Sequence, residues 1–541
     1  MRLDARSTWA ACLLLLVAYA GGAWVPLMNN DSAHHAGIAL HMHLSGDWLR
    51  LVTQGEDYLD KPHLLFWLAA ASFKLFGVTT FAYKLPSLLF SLLAVYSTWR
   101  LGRLLHTAEV GRLAALILAS SIAFVLANND VRMDALLTGA IIFSIWQLAE
   151  FAEAGRWRNL VLAGLGLALG FATKGMIGVA MPAIAIFLHL VYRRDWARLF
   201  DLRWLVLPLI VLLFASPVLY AYHHQFGMDG VRFILWSQNF ERLAGERFGN
   251  AGADDPLFFV HTFLWAFLPW SLLTLWALVM HAGRLVRGGF RPQAGDEVLT
   301  LGTVTVLFAI ISASQFKLPH YLNILLPLFS ILLAAWLAPR VQQPAGRGLW
   351  GVQVLAIGLM TAIGVALHAW VFPLKSLTLA AVVTALTVAG LGLSLRRQGG
   401  ARVVVLSLVT AAVFNILLNF NFYPRLLEYQ AGTVLGRAVL AERVALDDVF
   451  YLEGAGRAGS FDFTTARLTP TLTLDELRGM QRPVVVYVSE HGREAVMAAG
   501  LQATVLAHSP DFRVTRLNAR FLDPRRRDEV LSSAYLLKVG E

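Results

Sequence analysis

The feature that most limits what this 541-residue chain can fold into is a succession of apolar runs. Each is close to the ~20 residues a helix needs to cross a bilayer core. They fall at 8–27, 84–104, 112–128, 134–153, 158–173, 175–192, 204–222, 257–280, 298–314, 320–338, 350–371, 376–395 and 402–420, which predicts thirteen spans. A soluble protein carries about 25% charged residues, whereas this chain carries 15% against 57% hydrophobic. A large core does not account for the deficit, because a soluble surface still has to be covered with polar groups. The reading is a polytopic α-helical membrane protein. Disorder and a fibrous repeat are excluded, and so is a disulfide-stapled secreted fold, since Cys12 is the only cysteine.

Charge sets the orientation. With the N-terminus inside, every second connection is rich in arginine: Arg100, Arg103 and Arg112; Arg156 and Arg158; Arg193, Arg194, Arg198 and Arg203. The series continues through Arg284, Arg287 and Arg291, then Arg340 and Arg347, then Arg396, Arg397 and Arg402. Short basic loops stay in the cytoplasm, so the net charge of +10 follows membrane topology and implies no nucleic-acid partner. The apolar stretch 63–76 is too short to span and is read as lying along the interface. The first run has no small-residue cleavage site and is expected to be retained as a helix. Residues 1–420 then form the membrane domain, with outer loops at 28–83 and 223–256. Residues 421–541 have soluble composition and predict a small outer α/β domain. Its expected strands are DVFYLE, RPVVVYVS and SAYLLKVG, and its expected helices are TVLGRAVLAERV and GREAVMAAG.

Ionisable residues gather on the outer side, and a convergent set at the membrane boundary is a site hypothesis. Four segments carry it. In NNDSAHHAGIALHMHLSGDW, Asp31 can cap a helix whose apolar face is Ala36, Ile38, Ala39 and Leu40. In GEDYLDKPHLLFW, Pro62 can start an interfacial helix with Lys61 at its entrance, where the helix dipole gives a cation nothing and a phosphate or carboxylate partner is expected. NNDVRMDALLTG places Asp130, Arg132 and Asp134 at the mouth of the fourth span. SQFKLPHY sets Lys317 at another break before a span.

These motifs resemble the polytopic glycosyltransferases that use polyprenyl-phosphate sugars, the protein O-mannosyltransferase superfamily. Within it, the bacterial lipid A aminoarabinose transferases look closest. The resemblance runs from about Asp31 to Pro424. It comprises Asp31 with SGDWL downstream, Tyr58 to Trp67, Arg132-x-Asp134-x-Leu136-Leu137-Thr138 and Thr173-Lys174-Gly175. It continues with Asn239-Phe240-x-Arg242, Phe267-Leu268-Pro269-Trp270 and Lys317-Leu318-Pro319-His320-Tyr321. The chain departs from the pattern after the first span, where Asp31-Ser32-Ala33-His34-His35 stands in place of Asp-Glu-x-Arg-Tyr.

The resemblance implies a GT-C-type glycosyltransferase fold in the bacterial inner membrane, with the active site and C-terminal domain in the periplasm. It implies a sugar donor on undecaprenyl phosphate, 4-amino-4-deoxy-L-arabinose among the candidates, and lipid A or another envelope acceptor. A departing phosphate needs charge neutralisation more than a proton, and Lys61 is the first choice for it, with Arg242, Lys317 and Lys174 as helpers. Tyr58, His34, His35, His320 and Tyr321 complete the donor-binding set. One carboxylate, Asp31, serves as base or orients the acceptor, and Asp134 supports it or contacts the sugar. Glycoside hydrolysis usually needs two carboxylates, so a single inverting displacement is the economical course. No cofactor follows with certainty; the family pattern would put a divalent metal such as zinc at Asp60 and Asn239, although no fixed-spacing motif supports one. Transfer to protein or another glycan is the alternative within the class. A transporter or flippase for a lipid-linked anion is the alternative outside it, but such proteins often have related halves with charges at the midplane, and neither is found here.

Overall fold

The computed structural model describes residues 5–238, 254–292, 297–341, 343–344 and 346–540. Each predicted apolar run lies on helix. The first of these helices are α1 (Ala5–Trp24), α2 (Asp31–Ser45), α3 (Leu64–Phe76), α4 (Thr80–Leu105), α5 (Ala108–Ser120) and α6 (Ile122–Asn129). They are followed by α7 (Asp134–Ala154), α8 (Trp157–Lys174) and α9 (Ile177–Arg193).

The expected count of thirteen spans does not hold. Among the described residues, six helical runs are long and apolar enough to cross a membrane: Asp134–Ala154, Trp196–Ser237, Pro319–Val341, Arg347–Val371, Leu377–Leu395 and Gly399–Tyr429. The number rises to eight if each of two bent pairs is one span. The backbone is what an apolar count misses. The run at 112–128 breaks by 54° between α5 and α6, and the run at 257–280 breaks by 119° between Phe258–Ala266 and Ser271–Arg287. Thr8–Trp24, Ile177–Arg193 and Leu299–Ala313 are apolar but shorter. In α4, Lys84, Arg100 and Arg103 dilute the apolar character.

The helices approach through small residues, as expected where lipid removes the hydrophobic drive between them. Gly170 of α8 and Gly178 of α9 meet backbone to backbone; a Cβ on Gly178 would lie 2.2 Å from the carbonyl carbon of Gly170. This contact sets the C-terminal end of α8, which carries Lys174.

The helices α2 and α3 pack against each other, and α3 packs against α4. The cap of α2 is Asn30, whose side chain accepts from the Ser32 amide. The expectation of Asp31 as cap is thereby corrected: Asp31 is the first helical residue, and its carboxylate is released for other contacts. Ala36, Ile38, Ala39 and Leu40 are all buried, as expected. The stretch 63–76 forms the 13-residue α3, which starts after His63 rather than at Pro62; the His63 ring bonds to the Leu49 carbonyl at 3.0 Å. A short antiparallel pair, β1 (Val52–Thr53) with β2 (Glu56–Asp57), joins α2 to α3. Lys84 is fully buried, and its ammonium donates to the carbonyls of Gly22 (2.9 Å) and Val25 (2.7 Å) at the end of α1. A lysine thus satisfies carbonyls that a helix C-terminus leaves open.

The C-terminal part holds a five-stranded sheet in the order β4-β3-β5-β7-β6, built from β3 (Val449–Leu452), β4 (Thr471–Leu472), β5 (Val484–Ser489), β6 (Ala503–Asp511) and β7 (Ser532–Val539). The β3–β4 and β3–β5 pairs are parallel, and β7 is antiparallel to β5 and β6. The three expected strands are β3, β5 and β7, and the two expected helices are Ala431–Ala441 and Glu490–Ala498. This unit docks directly on α2. Phe463, from the helix Gly459–Thr465, packs against Phe73 and Tyr83 at ring distances of 6.0 and 6.2 Å. The Ser460 amide donates to Asn29 Oδ1 (3.3 Å), and the Gln430 amide group bonds both to the Asn29 N–H and to the Leu27 carbonyl. Farther out, Arg527 reaches the Val371 carbonyl at 2.9 Å between Phe372, Tyr429 and Phe521.

Lys84→Met keeps the volume but leaves two buried carbonyls unpaired, at a cost of about 1–3 kcal/mol. Thermal unfolding of the purified protein in detergent is expected to show a clearly lower transition temperature; an unchanged one would mean these bonds do not hold α1 to α4.

Candidate active site

One guanidinium organises the polar residues around the start of α2. Arg132, in the turn between α6 and α7, donates through Nη1 to Asp31 Oδ2 at 2.9 Å and through Nη2 to Asp130 Oδ2 at 2.9 Å. Its Nε adds a second bond to Asp130 at 3.1 Å, and Asn30 Nδ2 donates to the same carboxylate oxygen at 3.1 Å. Behind Arg132, His320 Nδ1 lies 3.4 Å from Nη1, while its Nε2 lies 3.8 Å from Asp134 Oδ2. Asp134 accepts from Lys174 at 3.0 Å, and that ammonium rests 4.5 Å above the Tyr321 ring. Five stretches of chain therefore converge through charge: the start of α2, the α6–α7 turn, the start of α7, the end of α8 and the segment at 320–321.

The two candidate catalytic acids differ in access. The Asp31 side chain is 55% exposed and that of Asp134 is 4% exposed. An acceptor can reach Asp31, whereas Asp134 is spent inside the protein on Lys174. Burial favours the neutral form of Asp31, but the Arg132 guanidinium, helped by Lys61, outweighs it and holds the carboxyl below its usual range. Burial likewise opposes the charge on Arg132, and Asp130 and Asp31 hold it above its ordinary value. His34 is pushed down, mainly by burial. His35 is pushed down to about 3 by burial and by Lys61. Both imidazoles are neutral at pH 7 and cannot replace an arginine as a cation.

Lys61 pairs with the Asp60 carboxylate. Both act electrostatically on His34 and His35, so the start of α3 faces the start of α2. The His34 ring meets Tyr58 edge-on at 5.3 Å, and Tyr58 and His35 each meet Phe66, at 6.1 and 5.7 Å. Lys317 is nearly buried and donates to the Asp255 carbonyl at 2.9 Å, so it is turned toward the chain at 254–257. Arg242 and Asn239 lie outside the described residues. Of the pair offered to a metal, Asp60 has its carboxylate on Lys61. Among the described residues no group of three or more His, Cys, Asp or Glu side chains is arranged to hold an ion. The sequence reading left Asp130 and Asn30 without a role, yet Asp130 is the second carboxylate on Arg132. The signal was the spacing Asp130-x-Arg132, which lets one side chain bond its neighbour in the same turn.

Residues 60–221 match the family model described as dolichyl-phosphate-mannose-protein mannosyltransferase. The undecaprenyl phosphate-alpha-4-amino-4-deoxy-L-arabinose arabinosyl transferase of Pseudomonas paraeruginosa is 29% identical over 370 residues, covering 66% of this chain and 64% of that protein. The enzyme of the same description from Edwardsiella ictaluri is 30% identical over 360 residues, covering 64% and 62%. The chain thus spans slightly less than two thirds of the length of these curated relatives. The crystal structure of ArnT from Cupriavidus metallidurans bound to undecaprenyl phosphate superposes with a TM-score of 0.75 at 17% identity, over 97% of both chains. Its apo state gives 0.74 at 18% identity, over 98% of both. These similarities agree with the resemblance carried by the motifs. The structural likeness shows the fold: a polytopic α-helical membrane protein of the GT-C type with a small C-terminal α/β domain.

Two outcomes follow from the electrostatics. With Arg132→Gln the largest charge opposing burial at Asp31 is removed, and its pKa is expected to rise; a carboxylate infrared titration, differenced against Asp31→Asn, measures it. In the intact site the depressed Asp31 value stabilises the fold above the ordinary carboxylate pKa, and that contribution is lost as pH falls through the folded value. His35 acts in a window that begins higher, and with a different origin. Between pH 6.5 and about 3 the unfolded chain binds its proton and the folded chain does not, so stability falls as pH drops. His35→Gln is expected to flatten the pH dependence of unfolding there.

Breaking the buried pair by Asp134→Ala leaves Lys174 uncompensated and is expected to cost about 3–5 kcal/mol, while Asp134→Leu with Lys174→Met recovers most of it. Denaturation of the two variants side by side reads the difference.

Proposed function

We propose that the chain is an integral membrane glycosyltransferase that moves a sugar from undecaprenyl phosphate to lipid A or another cell-envelope acceptor. The observation that carries this reading is Asp31: an exposed carboxylate, kept ionised by Arg132, at the end of a membrane bundle with Lys61 close enough to act on it. The relatives named above supply the donor class and make 4-amino-4-deoxy-L-arabinose the leading sugar. The end carrying Asp31 is the periplasmic one and the N-terminus is cytoplasmic, because the short arginine-rich connections belong on the inner side.

In the proposed step the acceptor oxygen attacks the anomeric carbon as the bond from that carbon to the phosphate oxygen breaks. The configuration inverts, and undecaprenyl phosphate leaves with the bonding electrons. Asp31 has Oδ2 on Arg132, so Oδ1 is the atom that takes the proton of a hydroxyl acceptor, or that orients an acceptor already ionised. Lys61 stabilises the negative charge growing on the phosphate, with Arg242 as its helper. Tyr58, His34 and His35 form a neutral, partly aromatic wall beside the sugar. Asp134, Lys174, His320 and Tyr321 act through Arg132, fixing where it holds Asp31.

The family model matching residues 60–221 carries a protein-mannosyltransferase description, and this favours a protein acceptor as the second reading. Mass spectrometry of lipid A from cells lacking the gene, complemented with wild type or Asp31→Asn, separates the two. A sugar-sized mass increment with wild type alone supports lipid A as acceptor and Asp31 as base. Unchanged lipid A in every strain removes that acceptor and leaves protein and other glycans to be searched for the modification.

A further inference from the structure

Between the C-terminal unit and the membrane domain lies a crevice of ≈ 170 Å³ whose lining does not include Arg132. One water needs about 10–15 Å³ by the same measure, so the space takes a tetrahedral oxyanion together with several waters. Its membrane-domain wall is Pro26, Leu27 and Val78 to Thr80; the opposite wall includes Thr433, Arg437, Ser460 and Phe463. No Asp or Glu lines it.

Three donors converge there. The 26-residue helix α4 begins at Thr80, and its cap Thr79 uses its hydroxyl on the Ala82 amide, leaving the first amides of the helix without an intrahelical acceptor. Such an end attracts anions. Ser460 is 1% exposed, lines the crevice, and its hydroxyl has no hydrogen-bond partner among the described residues, an arrangement that calls for a ligand or an ordered water. Arg437 is exposed on the helix Ala431–Ala441, and among the described residues no carboxylate is paired with it. A free guanidinium, an unsatisfied buried hydroxyl and a helix N-terminus around an acid-free crevice have the chemistry of a phosphate site.

We propose that this crevice binds a phosphate monoester, presented as a lipid headgroup or as a free phosphate, with Arg437, Ser460 Oγ and the first amides of α4 as its donors. The site is separate from the transfer step and does not depend on it. Its position puts a bound phosphate in contact with both domains, so occupancy braces the docking of the helix Gly459–Thr465.

The test uses the full-length protein in nanodiscs, with binding of inorganic phosphate followed by calorimetry and retention of phosphatidic acid over phosphatidylcholine followed by native mass spectrometry. Arg437→Gln, an exposed change that leaves the core intact, is expected to weaken binding about tenfold. Ser460→Ala is expected to weaken it less, with both variants unfolding at the wild-type temperature when no phosphate is present. Retention of phosphatidic acid that is lost in Arg437→Gln and not competed by inorganic phosphate identifies a lipid headgroup. Calorimetric binding of inorganic phosphate with the same residue dependence identifies free phosphate. Wild type with no preference for either probe, or a preference that survives both substitutions, overturns the proposal.

Discussion

Everything at the Asp31 end of this protein depends on how one arginine is shared. Arg132 sits between Asp31 and Asp130, with Asp134 one residue contact behind through His320. A carboxylate removed from water is costly unless paired, so the three acids cannot gather without this cation and Lys174. Their partnership decides which acid stays open. Lys174 consumes Asp134 inside the bundle, Asp130 is held by Arg132 and Asn30, and Asp31 alone keeps a face toward solvent. The Gly170–Gly178 contact belongs to the same construction, because it sets the end of the helix from which Lys174 reaches across.

How much of this could be read from the chain differs by the kind of force involved. Apolar runs reported helices faithfully, since burial in lipid or core leaves a continuous signal along the sequence. They misreported the number of spans, because runs such as Ile177–Arg193 and Leu299–Ala313 make helices too short to count, and because a 54° bend at Ser121 or a 119° bend around Pro269 leaves apolarity unbroken. Asp31 and Asn30 are equally good caps by chemistry, so only the backbone could tell which one is used. Lys174 and Lys317 were expected to await a phosphate; the structure shows each with a partner inside the protein, at positions 40 and 62 residues away, pairings no local pattern contains. In the C-terminal domain, β3, β5 and β7 announced themselves as runs buried on both faces, whereas β6 is an edge strand with mixed exposure and no such run.

Lys84 illustrates a different limit. In the sequence it is one of seven lysines in a chain otherwise rich in arginine, and nothing in its neighbourhood sets it apart. In the fold it is internal and serves main-chain carbonyls. By holding Gly22 and Val25 it ends α1 at a defined place, and the short segment from there to Asn30 leads straight to the Asp31 helix. A residue of no direct chemical role thus fixes where the exposed carboxylate begins.

The docking of the last domain on the first outer helix bears on how the molecule is made. Asn29 bonds to residues 401 and 431 positions later in the chain, and Phe463 fills a core begun by Phe73 and Tyr83. Chains emerge N-terminus first, and domains fold as they become complete. The α2 helix is therefore synthesised near the beginning, yet its covering surface arrives near the end. Until it does, the Ala33 edge of α2 and the Phe73 ring are bare at the membrane boundary. Assembly of the Asp31 end is then among the final events of biogenesis, and a nascent chain halted short of Gln430 holds the charged residues without the domain that covers their helix.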